Sequence, residues 1–311
     1  MQIFSGSSNR ALASRIAKIL GSEIGKVESS LFENGECRVR VMSDGKGSAF
    51  LLQSLSQPVD QSIIEFCLIA DALARDGHSN IVGIVPWLGY SKQDKVFREG
   101  EPLSAKVIAQ ILQTTKIKKL ITFDLHNRAI TGFFDIPVVE LSAKPIFLEY
   151  FRDMFSHKRS EHSLSQGSDL GESDFVVVAP DEGAVKSSAY FARELDVAIA
   201  YMDKRRDLRT GKVEVVAMSG DVKGKRVIIV DDMIVTGSTM MESAKYLKKL
   251  GAKSVSVAAT HHLYINGVQE KLERSEIDKI VVSDTVSCTS KHEYKKLKIL
   301  SIAQTIVDYL Q

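Results

Sequence analysis

Two adjacent carboxylates followed by a loop of small residues form the most distinctive chemical pattern in this 311-residue sequence. Asp231 and Asp232 come directly after the apolar run 227–230, and a helix is predicted to start near Met240. The loop between them contains Val235, Thr236, Gly237, Ser238 and Thr239. Free N–H groups at a helix N-terminus can hold a phosphate, and carboxylates can accept hydrogen bonds from a sugar diol. The pattern therefore predicts a site for ribose 5-phosphate.

A purely structural role for this stretch is the alternative. Asp231 would then cap a turn, and Thr236 would cap the following helix. An acidic pair after an apolar strand favours binding instead, because ligands of parallel α/β sheets bind beyond the carboxyl ends of the strands. The loop has no GxxxxGK[ST] pattern, so it is not a P-loop.

Further polar groups are spread over the rest of the chain. The stretch "LFENGECRVRV" contains Phe32, Asn34, Gly35 and Glu36. The stretch "GYSKQDKVFREGEP" contains Lys92, Gln93, Asp94, Lys95 and Arg98. Other candidates follow strand-like runs, namely His126, Asp181, Lys204 and Arg206. Taken singly, these groups are typical of a turn, an exposed charged loop, a hydrogen-bonded structural histidine and a solvated charge run.

The elements that must position these groups follow one rhythm. Apolar strand-like runs alternate with amphipathic helical patterns, which predicts βαβ units, mostly parallel sheets and helices on both faces. One predicted helix is capped by Asp60 and ends at Gly77. The rhythm breaks near residues 142–145, so we expect one domain over residues 1–142 and a second over residues 143–311. Within the second, the polar, serine-rich segment 156–173 predicts a surface loop.

Composition narrows the class of protein. The chain has 41 basic and 39 acidic residues and a net charge of +2, which argues against a general nucleic-acid or membrane-surface binder. Three cysteines without CxxC spacing make a disulfide scaffold improbable. Neither a leader pattern nor an apolar run of 18 residues is present, so we expect a cytoplasmic protein.

In combination, these motifs resemble those of one family, the ribose-phosphate pyrophosphokinases, also called phosphoribosyl-pyrophosphate synthetases. The family pattern has F-x-[DN]-x-E, GYxxQDK, DLH, GFFDIP, a PDxG strand end, a K-x-R element and VDDM. All of these occur here in order between Phe32 and Thr239. The resemblance implies two phosphoribosyltransferase-like domains, of which the first binds ATP and the second binds ribose 5-phosphate.

The resemblance also implies an activity. The pyrophosphoryl group of ATP would be transferred to the 1-hydroxyl of ribose 5-phosphate, giving phosphoribosyl pyrophosphate and AMP, with Mg²⁺ as the cofactor. Phe32 would pack on adenine, while Asn34 and Glu36 would bond its edge. The remaining ATP contacts would come from Gly35, Lys92, Gln93, Asp94, Lys95 and Arg98.

The other roles carried over by the resemblance concern metal and sugar. His126 and Asp181 would engage Mg²⁺, His126 partly through water, because Mg²⁺ prefers oxygen ligands. Lys204 and Arg206 would be catalytic, at the transferring β-phosphate. Asp231, Asp232 and residues 235–239 would hold ribose 5-phosphate. The family also implies a homo-oligomer, either dimers or dimers assembled into hexamers, with "GFFDIP" near a subunit contact.

The chain departs from the family pattern at three positions. Val235 replaces an Asp that many members carry, Lys92 replaces a common Arg, and Gly100 replaces an Arg of other classes. Val235 and Gly100, together with the "FxEGEP" pattern, favour an archaeal-type member. The stretch after Val41 does not match the regulatory loop of the class that ADP inhibits. Two other functions stay open: a phosphoribosyltransferase that consumes the product, and a non-catalytic regulatory paralogue.

Overall fold

The computed structural model describes residues 2–43, 45, 47–162, 174–206 and 213–311. Within these ranges, the side chains of residues 156–162, 204–206 and 213–216 are not part of the description. The chain forms two compact units, each built on a seven-stranded sheet. The two mostly parallel sheets with flanking helices confirm the predicted α/β class.

The first sheet has the strand order β3-β2-β1-β4-β5-β6-β7. Only the pairing of β2 with β3 is antiparallel. The strands are β1 (Gln2–Ser5), β2 (Ile24–Leu31), β3 (Cys37–Met42), β4 (Ser48–Leu52), β5 (Asn80–Val85), β6 (Ile117–Phe123) and β7 (Val138–Leu141). The helices of this part of the chain are α1 (Arg10–Ile19), α2 (Val59–Arg75), α3 (Ser104–Gln113) and a 3₁₀ helix, Arg128–Phe133.

The second sheet repeats this order, as β10-β9-β8-β11-β12-β13-β14, and again only its edge hairpin, β9 with β10, is antiparallel. The strands are β8 (Phe175–Ala179), β9 (Ala198–Arg206), β10 (Val213–Ser219), β11 (Arg226–Ile234), β12 (Ser254–His262), β13 (Lys279–Ser283) and β14 (Leu297–Leu300). The helices after residue 143 are α4 (Lys144–His162), α5 (Val185–Leu195), α6 (Ser238–Lys249), α7 (Val268–Arg274), a 3₁₀ helix Ser290–His292, and α8 (Ala303–Leu310), of which α8 belongs to the first unit.

Each sheet is covered by apolar helix faces. In the first unit, Phe66 of α2 and Leu112 of α3 pack on strand residues such as Leu120. In the second, Leu247 of α6 and Leu272 of α7 pack on β11 and β12. Central strands that are buried on both faces are continuous apolar runs, which is why they could be recognised in the sequence.

The division of the chain is not a single cut. The first unit comprises Met1–Ala143 with Asp284–Ser287 and Ser301–Gln311, and the second comprises Lys144–Ser283 with Cys288–Leu300. The two late segments group with the first unit because Asp284 and α8 contact α1.

Two details of the predicted elements are wrong. The N-cap of α2 is Pro58 rather than Asp60, whose side chain instead accepts a hydrogen bond from Tyr90 Oη at 2.6 Å. Residues 156–162 belong to the end of α4 rather than to a loop, whereas 163–173 lie outside the described residues. In the described part of the chain, no helix is long and apolar enough to cross a membrane.

Candidate active site

The acidic pair lies within a strand rather than after one. β11 pairs with β8 only as far as Ile229, opposite Val178, but its pairing with β12 continues to Ile234, opposite His262. Asp231 and Asp232 therefore occupy the part of β11 that extends past its shorter neighbour. The change from apolar to acidic residues therefore marks the point where β11 stops pairing with β8, and not the end of β11.

Asp231 has an unusual electrostatic environment. Burial raises its pKa, and the nearby charges of Asp232 and Asp181 raise it further, to about 7. The backbone N–H of Asp232 donates to Asp231 Oδ1 at 2.8 Å, which opposes the shift. Carboxylates from β11 and from the loop after β8 thus act on one another, which makes this end of the sheet a place for hydroxyl donors or a cation.

The loop at residues 235–239 turns sharply into α6, which begins at Ser238 rather than near Met240. Gly237 has φ +70°, and a Cβ there would lie 2.9 Å from Leu272 Cδ2, so no larger residue fits without a shift. The exposed hydroxyls of Thr236 and Ser238 lie 3.1 Å apart. Hydroxyls and free N–H groups at the start of a twelve-residue helix suit a phosphate.

Asp181 lies in the loop after β8 and caps a turn. Its Oδ1 accepts a hydrogen bond from the backbone N–H of Ala184 at 3.1 Å, directly before α5 begins at Val185. Lys204 and Arg206 lie in the backbone of β9, opposite Val215 and Val213. Their side chains are outside the described residues, so the predicted catalytic roles are not tested by geometry.

The first unit presents the predicted adenine contacts on a hairpin turn. Between β2 and β3, the N–H of Phe32 donates to the carbonyl of Glu36 at 2.8 Å, and the N–H of Glu36 donates to Asn34 Oδ1 at 3.2 Å. The turn residue Gly35 has φ +87°. Phe32 is 50% exposed, with Arg38 Cζ 5.8 Å from its ring centre. An exposed aromatic ring on a closed turn is available for stacking.

The 92–98 loop is held by its own polar side chains. Gln93 Oε1 accepts from Ser104 Oγ at 2.7 Å, at the start of α3, and Asp94 Oδ2 accepts from Asn127 Nδ2 at 2.7 Å. These two predicted ATP contacts thus also organise the loop, which the sequence did not indicate. Lys92, Lys95 and Arg98 are exposed.

His126 lies beside this loop in the same unit, because its neighbour Asn127 is the partner of Asp94. Its side chain is exposed. The turn that carries it is fixed by Asp124, whose carboxylate accepts from Ser142 Oγ at 2.7 Å and from the N–H of Ala143 at 2.8 Å. Asn127 was not predicted as a site residue, although it directly follows the DLH motif that signals the turn.

The candidate residues therefore form two groups. The hairpin turn, the 92–98 loop and His126 belong to the first unit, and Asp181, Asp231, Asp232 and the 235–239 loop belong to the second. Among the residues that the structure describes, no three His, Cys, Asp or Glu side chains could hold a metal by themselves.

Comparison with family models identifies both halves of the chain. Residues 1–115 match the N-terminal domain of ribose phosphate pyrophosphokinase, and residues 150–297 match the phosphoribosyl transferase domain. The two matches follow the two structural units in order.

Whole-chain relatives point the same way. The chain is 38% identical over 309 residues to ribose-phosphate pyrophosphokinase 1 of Lactococcus lactis, covering 99% of this chain and 91% of the relative. It is 36% identical over 312 residues to the ribose-phosphate pyrophosphokinase of Clostridium acetobutylicum, covering 100% and 93%. A crystal structure of phosphoribosylpyrophosphate synthetase from Mycobacterium smegmatis matches with a TM-score of 0.87 and 32% identity, covering 99% and 97%. The chain belongs to the ribose-phosphate pyrophosphokinase family.

Proposed function

We propose that this chain transfers the pyrophosphoryl group of ATP to the 1-hydroxyl of ribose 5-phosphate. The hydroxyl oxygen forms a bond to the β-phosphorus, the bond between the β-phosphorus and the oxygen that bridges to the α-phosphorus breaks, and AMP leaves with that oxygen as the hydroxyl proton is released. The observation that carries the proposal is the carboxylate pair on β11 directly before a hydroxyl-rich, glycine-containing helix N-terminus, in a chain of this family.

In this proposal, ribose 5-phosphate binds to the second unit. Its phosphate lies on the N–H groups and hydroxyls of residues 235–239, and its diol donates to Asp231 and Asp232. The close packing of Leu272 against Gly237 supports this assignment. It leaves no space for a side chain at position 237, so the loop backbone stays uncovered and a phosphate can approach its N–H groups. Val235 is half-buried and contributes a wall rather than a polar contact.

In this proposal, ATP binds to the first unit, where its adenine stacks on Phe32 and forms hydrogen bonds with Asn34 and Glu36. The cations Lys92, Lys95 and Arg98 neutralise its phosphates. Their exposure and their place on a loop pinned by Gln93 and Asp94 support this assignment, because long cationic side chains on a fixed backbone can reach phosphate oxygens.

Lys204 and Arg206 are proposed as the groups that neutralise charge at the transferring β-phosphate. Phosphoryl transfer needs positioning and electrostatic stabilisation more than covalent help. Lysine supplies a compact charge there, and arginine supplies a planar fork for two oxygens.

The residues of the second unit fit Mg²⁺ as a small donor set. In phosphate-transfer sites Mg²⁺ is held by one or two carboxylates, with waters and substrate phosphates completing its ligands. Asp181 acts on Asp231 across this end of the sheet, so carboxylate oxygens converge there. In the second unit we assign Asp181 to the metal, and for His126 of the first unit we keep the water-mediated Mg²⁺ contact that the family resemblance implies. When bound, Mg²⁺ offsets the negative charge of the polyphosphate.

Two alternatives fit less well. A phosphoribosyltransferase would use Asp231 to Thr239 but leave the Phe32 turn and Gln93 loop without a role. A non-catalytic regulatory paralogue would not need His126, Asp181, Lys204 and Arg206. Assembly into dimers or hexamers, a cytoplasmic location and the archaeal-type subclass remain part of the proposal. The subclass rests on Val235, Gly100 and the "FxEGEP" pattern, while the relatives named above are bacterial.

The test is whether the purified protein forms AMP from ATP, measured with a coupled assay. AMP should appear only when ribose 5-phosphate and Mg²⁺ are both present, and Lys204→Ala should lower turnover by about a hundredfold or more. Pyrophosphate release that depends on a nucleobase would instead identify a phosphoribosyltransferase. Repeating the assay with ADP tests the subclass, since an archaeal-type member should not show allosteric inhibition.

A further inference from the structure

His262 is a fully buried histidine at the carboxyl end of β12, outside every role assigned so far. Its Nδ1 accepts a hydrogen bond from the backbone N–H of Tyr264 at 3.1 Å. The proton of the neutral ring is therefore on Nε2, which donates to Tyr294 Oη at 3.3 Å. Burial lowers the pKa of His262 to about 4, and His292 adds to the effect, so the ring is neutral at pH 7.

The same ring begins a stack of three. His262 lies parallel to Tyr264, with ring centres 4.1 Å apart, and His292 also stacks on Tyr264, with ring centres 4.9 Å apart. Tyr264 has φ +50°, a left-handed conformation that side chains other than Gly, Asn and Asp adopt rarely. The stack and the Tyr264 N–H bond to His262 hold the chain in this turn as it leaves β12.

The turn at Tyr264 connects β12 to the residues that pack against the 235–239 loop. The N–H of Leu263 donates to the carbonyl of Ile234 at 3.0 Å, one residue before that loop begins. Four residues after Tyr264, at Val268, α7 begins, and its fully buried Leu272 is the side chain packed under Gly237. The path of the chain after His262 thus decides where Leu272 meets the loop.

We propose that His262 is a positioning residue for the ribose 5-phosphate loop, acting through the Tyr264 turn and α7 on Gly237. The inference rests on the proposed function. Neither the ring nor Tyr264 touches the substrate in this scheme. Their effect is to keep the loop N–H groups directed at the phosphate, so their loss weakens sugar-phosphate binding and leaves ATP binding unchanged.

His262→Phe tests the proposal, because it keeps a ring for the stack but leaves the Tyr264 N–H without its acceptor. The KM for ribose 5-phosphate should rise roughly fivefold, the size expected when one net hydrogen bond is lost, with the KM for ATP within about twofold of wild type. Ribose 5-phosphate should also stabilise the variant less than wild type in thermal unfolding.

Val255→Ala is the matched control. Val255 is buried on the same strand, at its other end and opposite Val227. It should lower the Tm without changing either KM. If His262→Phe lowers the Tm in the same way and leaves the KM for ribose 5-phosphate unchanged, His262 is only structural and the proposal fails. Wild-type AMP formation is scored separately, so failure of the proposed function is recognised independently.

Leu272→Ala tests the connection from its other end and is informative even if His262→Phe does not fold. It leaves the stack intact and removes the contact under Gly237. The expected result is a similar rise in the KM for ribose 5-phosphate. An unchanged KM in a folded Leu272→Ala variant overturns the proposed path from α7 to the loop.

Discussion

At the scale of single residues, the acidic pair on β11 is expected to lower the stability of the unliganded protein while serving the proposed binding of ribose 5-phosphate. Asp231 is desolvated and lies near two other carboxylates, which raises its pKa to about 7. Because the folded-state pKa lies above the unfolded value, the contribution of Asp231 to stability is fully present below about pH 4 and is lost as the pH rises through 7. An unliganded chain therefore carries a penalty at this site at neutral pH, which a sugar diol or a cation can relieve.

Asp231→Asn is expected to raise stability and lower affinity together. Without substrates and in the presence of EDTA, the variant should be more stable than wild type by at least about 1 kcal/mol at pH 8, because it carries no charge to desolvate. At pH 4 the difference should disappear, since Asp231 of the wild type is then protonated. Denaturant unfolding at the two pH values measures both quantities.

The same variant should bind ribose 5-phosphate about tenfold or more weakly, because a charged hydrogen-bond acceptor is replaced by a neutral one. The structural alternative, in which Asp231 only caps the turn at Asp232, predicts the reverse for stability. A variant that is less stable than wild type at pH 8, with unchanged affinity, would support that alternative.

At the scale of secondary-structure elements, the predicted adenine site depends on a β hairpin whose strands the sequence did not reveal. β2 and β3 form the edge of the first sheet, and their residues alternate between half-buried and exposed. They contain charged and small residues such as Lys26, Glu28 and Arg40, so their hydrophobic signal is weak. Continuous runs such as β8, in contrast, were evident because both faces are buried.

Phe32→Ala tests the role of this hairpin turn. The ring is half exposed, so its removal should change the unfolding free energy by no more than about 0.5 kcal/mol. The KM for ATP should rise about tenfold, because stacking of a base on an aromatic ring contributes about 1–3 kcal/mol. Steady-state kinetics with each substrate varied should leave the KM for ribose 5-phosphate unchanged.

Leu31→Ala is the control for this variant, since Leu31 is the preceding residue and is 52% exposed. It should leave both KM values at the wild-type level. Equal effects of the two substitutions on the KM for ATP would mean that general apolar surface matters, and would contradict specific stacking on Phe32.

At the scale of the whole molecule, the alternation of strand-like and helical patterns predicted the α/β fold, but it could not predict contacts between segments that are far apart in the sequence. Asn9 and Asp284 are 275 residues apart in sequence, yet Asn9 Nδ2 donates to the carbonyl of Asp284 at 2.8 Å. No local pattern records such a contact. For the same reason, the buried stack at His262 was not predicted: its partners become neighbours only after β12 and the 288–296 segment have folded.

Asp284 organises the return of the chain to the first unit. Its carboxylate accepts from Arg15 at 2.5 Å, from Ser301 Oγ at 2.6 Å and from the N–H of Ile302 at 2.8 Å. The carboxylate is 8% exposed, whereas Arg15 is 53% exposed. One buried acceptor thus holds α1 and the start of α8 together.

Asp284→Ala should therefore destabilise the protein by about 2–4 kcal/mol, because several donors lose a buried charged acceptor at once. Denaturant unfolding measures this loss, and Asp71→Ala provides the comparison. Asp71 pairs with Arg75 at 2.6 Å on an exposed surface of α2, so its removal should change stability by no more than about 0.5 kcal/mol. If the two variants prove equally stable, α8 is held by its apolar face, and the carboxylate at Asp284 is dispensable for joining the C-terminal segment to the first unit.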